Sequence, residues 1–148
     1  RVRFRIIGDG ARRDALEASL AGSGVANVEL LSPVSRQALL EAYLSSDVLF
    51  LHLNDYEAFK KVLPSKLFEY AALGKPVWAG VAGYAAKFVA SEISNSAVFH
   101  PCDVAGAVRA FETLEIKDIP RPDFREKYSR TKICTDLAED ILGVARGL

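Results

Sequence analysis

Methionine is absent from this chain of 148 residues, cysteine occurs twice and tryptophan once. Cys102 and Cys134 are far apart and form no Cys-x-x-Cys pair, so neither a zinc site nor a redox dithiol is signalled. Such sparse use of cysteine fits a reducing, cytoplasmic compartment. Charge of one sign is also lacking: Lys plus Arg and Asp plus Glu both number 19. A nucleic-acid partner would call for a basic stripe, and none is expected here. No apolar run reaches the roughly 18 residues that a spanning helix needs, and no signal peptide is visible. The chain contains no Gly-x-Ser-x-Gly elbow, no P-loop and no Asp-x-Asp, so a metal-bridged diphosphate of the last type is not supported. The missing methionine, with an opening inside an apparent strand, reads as an excised domain.

What is present is ordinary for a globular protein. Half of the residues are hydrophobic and 26% are charged, and the length suits one domain with a sizeable core. Strand and helix alternate. Val2–Ile7, Asn27–Leu31, Val48–Leu53, Val77–Val81 and Ala97–His100 read as strands. Arg12–Leu20, Ser35–Leu44, Pro64–Leu73, Tyr84–Ser91 and Asp103–Leu114 read as the helices between and after them, with Ser35 and Asp103 as N-caps. That alternation predicts an α/β fold, a Rossmann-like doubly wound parallel sheet with helices on both faces. The sheet core is expected over residues 1–115, an extended Pro-containing linker over 116–123, and one or two C-terminal helices over 124–148.

In such sheets ligands bind beyond the carboxyl ends of the strands. The segment from Val62 to Pro76 directly follows one of those ends. Pro64 suits a first helical turn, Gly74 a left-handed C-terminus, and Pro76 prevents continuation. Ser65 and Lys66 then lie beside unpaired amides at the positive end of the helix dipole, which is a ready anion site. Glu69 follows Lys66 by three positions and shares its face. A cation beside free amides suits a diphosphate, and a carboxylate one turn on suits sugar hydroxyls. A surface Lys–Glu pair on an amphipathic helix is also common, so the segment alone does not decide.

Other strand-end residues are weaker candidates. Gly8-x-Gly10 with Glu29 partly matches the dinucleotide fingerprint, but Arg13 stands where the third glycine belongs. A tight βα turn that helps line a phosphate site is the better reading. His52 and His100 are isolated, so a hydrogen bond to ligand is open to each and metal binding is not expected. Asp103 reads as a helix cap. Lys60 and Lys61 sit in the loop before the Pro64 helix, within reach of the same phosphates.

These residues resemble a known family. Ile6-Ile7-Gly8-Asp9-Gly10 with Arg13 and Leu16, the stretch Asn27 to Leu53, and the "E-a-a-GkPv" helix within Leu63–Pro76 are similar to the C-terminal, donor-binding domain of family 4 glycosyltransferases of the two-domain GT-B fold. The Pro64-Ser65-Lys66-x-x-Glu69-Tyr70 form resembles bacterial surface-polysaccharide transferases. The resemblance implies a retaining, metal-independent enzyme that transfers a sugar from a nucleoside-diphosphate donor to a polysaccharide or lipid-linked acceptor, with no cofactor. It places Glu69 on the ribose, Leu63, Ser65 and Lys66 at the diphosphate and donor sugar, and Val34 beside the base, while Gly8 belongs to the tight turn read above as helping to line a phosphate site. The family's first glutamate falls at Lys61, which either takes another role or leaves it to Glu57. The resemblance also implies an absent N-terminal acceptor domain, through which the full-length enzyme can sit on the inner membrane, and a fragment that does not turn over alone. Two other readings stay open: a dinucleotide-binding domain of an oxidoreductase, and a non-catalytic nucleotide-sugar-binding subunit.

Overall fold

A computed structural model describes residues 2–147, so residues 1 and 148 of the expected division lie outside it. The chain forms two compact units, one ending at Ala42 and the other beginning at Tyr43. The first carries β1 (Phe4–Ile7), α1 (Arg13–Ser23), β2 (Val28–Leu31) and most of α2 (Arg36–Leu44). β1 and β2 pair in parallel from Phe4↔Val28 to Ile7↔Leu31. Gly24 closes α1 in the left-handed region, and the Ser35 hydroxyl accepts from the Ala38 amide at 3.2 Å, as its N-cap reading requires.

The second unit holds β3 (Leu49–His52), a 3₁₀ helix (Glu57–Lys61), α3 (Lys66–Leu73), β4 (Val77–Gly80), α4 (Gly83–Glu92), β5 (Ser96–Phe99), α5 (Val104–Glu112), α6 (Pro122–Lys127) and α7 (Arg130–Arg146). β3, β4 and β5 form a parallel sheet in that order. Parallel strands and the α/β class are therefore as the sequence predicts. The strands are shared between two sheets, β1–β2 and β3–β4–β5. Alternation dictates element type and parallel sense, but not which strands are neighbours.

Period-two alternation sorts the three-stranded sheet into two faces. Leu49, Leu51, Val77 and Ala79 join Leu67 and Ala71 of α3 and Ala85, Phe88 and Val89 of α4 in the hydrophobic core. On the other face, Phe50 lies 4.7 Å from Trp78, and Trp78 5.2 Å from Phe111 of α5, ring centre to ring centre. The Trp78 indole donates to the Ala107 carbonyl at 3.1 Å, so its buried polar edge is satisfied. Gly80 is required between these rings, because a Cβ there would stand 2.5 Å from His52 and 2.6 Å from Phe99.

Helix α3 ends where the sequence says it should. Gly74 has φ 77° and its amide donates to the Ala71 carbonyl at 3.2 Å. The linker then returns to this corner. Ile119 donates to the Gly74 carbonyl at 2.8 Å, and the Lys75 ammonium meets Asp118 at 2.9 Å. Arg121 enters between two prolines and is buried, with 6% of its surface exposed. Its guanidinium donates to the carbonyls of Ser94, Ala71 and Lys75, the last two at 3.1 Å. α6 seats Phe124 against Phe68 and Phe88, and Glu92 accepts from Lys127 at 2.7 Å and from Tyr128 at 2.9 Å. α7 has no buried residue, and Ile133, Leu137 and Ile141 line one exposed stripe.

Replacing Arg121 by Ala leaves three carbonyls around a vacated site. At about 1–3 kcal/mol for each buried acceptor left unpaired, partly offset by water, a loss of roughly 2–4 kcal/mol is expected. Urea unfolding of R121A against the parent measures it, and R121K should recover only part, because an ammonium cannot span the same fork.

Candidate functional site: the N-terminal turn of α3

Helix α3 begins two residues later than the proline suggests, at Lys66. Val62 is extended (φ −95°, ψ 140°), and Pro64 precedes the helix, its carbonyl accepting from Leu67 at 3.1 Å. Ser65 stands at the N-cap in helical geometry (φ −58°, ψ −29°) and makes no side-chain capping bond. Its carbonyl accepts from Phe68 at 3.1 Å. The first turn is thus a tight 3₁₀ type, and it satisfies the amides of Leu67 and Phe68 internally. The amides of Ser65 and Lys66 and the Ser65 hydroxyl take no part in this internal pairing.

The faces of α3 divide by helical period. Leu67 and Ala71 are fully buried, and Phe68 turns to Phe88, 5.3 Å between ring centres. Lys66, Glu69 and Tyr70 share the remaining face. Lys66 is exposed, Glu69 and Leu63 are half-buried, and Tyr70 is buried with its ring 5.2 Å from that of Tyr43. Burial, helped by Tyr43 and by the Glu69 charge, pushes the Tyr70 phenol well up, so it stays neutral. A cation at the helix entrance and a carboxylate beside a neutral hydroxyl are thereby held on one rigid element.

Ahead of this turn the structure corrects one expectation. The segment that holds Lys60 and Lys61 before Pro64 is expected to be a loop, but Glu57–Lys61 is a 3₁₀ helix. Lys60 pairs with Glu57 in an ion pair one turn apart, and this pairing raises the Lys60 pKa. Glu57 is therefore occupied by its own neighbour, while Lys61 is exposed at the end leading to Leu63.

Lys61, Leu63, Ser65, Lys66 and Glu69 all lie in the second unit, within nine consecutive residues. Gly8 and Val34 belong to the first unit. There Gly8 extends the β1–β2 ladder, donating to Leu31 at 3.1 Å, and Val34 is exposed just before the Ser35 cap of α2. Arg13 fills the turn: its guanidinium donates to the carbonyls of Gly8 at 2.7 Å and Leu31 at 3.0 Å. Glu29 lies within β2 rather than at its carboxyl end and pairs with Arg3 at 3.0 Å and Arg5 at 3.7 Å. Neither feature suits a dinucleotide, which needs close backbone approach and an acid at the strand end.

The other strand-end residues serve loop structure. His52 Nε2 accepts from the Cys102 amide at 3.1 Å, which requires a neutral ring protonated at Nδ1. His100 Nδ1 lies 3.0 Å from the Pro101 carbonyl, and its Nε2 is 3.9 Å from Asp55. Asp103 caps α5, accepting from the Gly106 amide at 2.8 Å, as its sequence position suggests.

The model of the family "Glycosyl transferases group 1" matches residues 1–131. The chain belongs to that family. No curated protein and no solved structure matches it. Family membership makes this a glycosyltransferase domain, and the match supports the C-terminal, Rossmann-like half of a GT-B fold. Among the described residues of this glycosyltransferase domain, no helix is long and apolar enough to cross a membrane. Sequence reasoning missed the roles of Arg13 and Arg121. The available signals were an arginine in place of a fingerprint glycine, and an arginine set between two prolines.

Burial lowers the His52 pKa from its ordinary 6.5. The folded state therefore favours the neutral ring, and the bond from Cys102 needs it. This contribution is fully present above pH 6.5 and is lost as pH falls through the lower folded value. Thermal unfolding between pH 7.5 and about 5.5 should show a decline in the parent that is shallower in His52→Gln.

Proposed function

We propose that this glycosyltransferase domain is the donor half of a retaining, metal-independent enzyme resembling family 4 of the GT-B fold. The donor is a nucleoside-diphosphate sugar, and the acceptor a polysaccharide or lipid-linked saccharide. The diphosphate lies across the amides and hydroxyl at Ser65–Lys66, the Lys66 ammonium balances its charge, and Glu69 accepts from the ribose hydroxyls. Leu63 and Lys61 border the donor sugar. Val34 and Gly8, in the first unit, are the candidates for the base-side and phosphate-side loops. The observation that carries this reading is a Lys66–Glu69 face presented at the entrance of a helix whose other faces are packed in the core.

Catalysis on this half is positioning plus electrostatics. Departure of the nucleoside diphosphate builds negative charge, and a fixed cation with aligned helix amides stabilises that charge without reorganising. The residues named here bind and orient; none of them acts as a general base.

Titration of the chain with UDP, GDP and inorganic pyrophosphate tests the assignment. Lys66→Ala should weaken all three by roughly 10–100-fold, the scale of one charge-assisted contact. Glu69→Ala should weaken UDP and GDP comparably and leave pyrophosphate unchanged. Tight NAD(H) binding without UDP or GDP binding would contradict the donor-site reading.

A further inference from the structure

The turn between β4 and α4 contains an unusually close approach of two backbones. Gly83 has φ 63°, a left-handed conformation that side chains rarely adopt. A Cβ on it would overlap the Lys60 carbonyl oxygen and stand 2.7 Å from Lys60 Cβ and 2.8 Å from the Lys60 carbonyl carbon. These are mainly backbone atoms, so no rotamer change relieves the clash. The 3₁₀ helix sits on this glycine by one side: Phe59 and Lys60 are half-buried, while Glu57, Ala58 and Lys61 are exposed. Its ends are closed by Phe59 donating to Tyr56 at 2.9 Å and Val62 donating to Phe59 at 3.2 Å.

We propose that Gly83 is a positioning residue for the donor turn. Its missing side chain lets the 3₁₀ helix seat against the β4–α4 turn, and that seat fixes where Lys61 and Leu63 stand relative to Ser65 and Lys66. The link is short and stiff. Three residues, Val62 to Pro64, separate Lys61 from Ser65, and the Pro64 ring locks its own φ. A displaced Lys60 backbone therefore displaces the entrance of α3. A diphosphate held by several fixed donors is sensitive to such displacement, because a hydrogen bond weakens steeply once its distance and angle leave a narrow range.

Gly74 supplies the control. It has φ 77°, and its Cβ would stand 3.0 Å from the Ile119 carbonyl oxygen. Alanine is strained there too, but at the far end of α3. A purely structural role for Gly83 would make G83A and G74A behave alike.

The inference rests on the donor-site reading above, and its test separates the two. The full chain is compared as parent, Gly83→Ala, Gly74→Ala and Phe59→Ala. Readouts are thermal midpoint, UDP and GDP affinity, and the rate of tryptic cleavage after Lys60 and Lys61. G83A should be cut several-fold faster at these lysines and bind nucleotide about tenfold more weakly or worse, the scale of one charge-assisted hydrogen bond, whereas G74A, although less stable, should keep parental affinity and cleavage. Phe59→Ala loosens the same seat without touching Gly83, so it decides the matter if G83A does not fold. Failure of the parent to bind UDP or GDP refutes the donor site, and the positioning role with it. Parental affinity in both G83A and F59A overturns the positioning role alone, as does equal loss in G83A and G74A.

Discussion

The guanidinium of Arg121 is the contact on which the second unit's geometry depends. It joins three carbonyls from separate places in the chain: the last turn of α3, the residue after Gly74, and the α4–β5 turn. Each would otherwise be a helix-end or turn acceptor in a buried corner. Gly74 makes the corner possible by turning left-handed, which lets the linker come back close enough for Ile119 to reach the Gly74 carbonyl. With its C-terminus anchored in this way and Leu67 and Ala71 in the core, α3 has little freedom to slide or roll. The N-terminal end of α3 is held separately, where the Lys60 backbone meets Gly83.

That other end has the opposite character. Ser65 and Lys66 are exposed there, the turn is tight, and the Ser65 hydroxyl makes no capping bond. The contrast follows from composition along a few residues. Pro64 removes a donor, Ser65 and Lys66 supply polar groups, Leu67 and Ala71 drive burial, and Glu69 lands on the open face by period alone. The β4–α4 turn and the 3₁₀ helix then meet over a single glycine. In the function proposed above, a fixed helix and a close-packed approach segment act together as a preorganised anion site, which is what departure of a diphosphate requires.

Much of this was legible in the residues. Alternating apolar segments gave the α/β class and parallel strands, and Gly74, Ser35 and Asp103 took the capping roles their types and positions imply. The Lys66–Glu69 relation followed from helical spacing. What was not legible depends on long-range contact. Strand neighbours are decided by pairing across crossovers rather than by local pattern. Arg13 and Arg121 act on carbonyls distant in sequence, and an arginine in a turn or linker carries no local sign of burial. The 3₁₀ helix of residues 57–61 lacks a periodic apolar stripe, since it buries only one side of a single turn. Gly83 likewise owes its role to Lys60, a neighbour distant in sequence.

The central claim is that α3 presents its N-terminal turn to a nucleoside diphosphate. A crystal structure of the chain grown with UDP or GDP tests it most directly. The account predicts diphosphate oxygens on the Ser65 and Lys66 amides, with the ribose hydroxyls on the Glu69 carboxylate. A nucleotide seated instead at the Gly8–Gly10 turn with its ribose on Glu29, and nothing at α3, would contradict it.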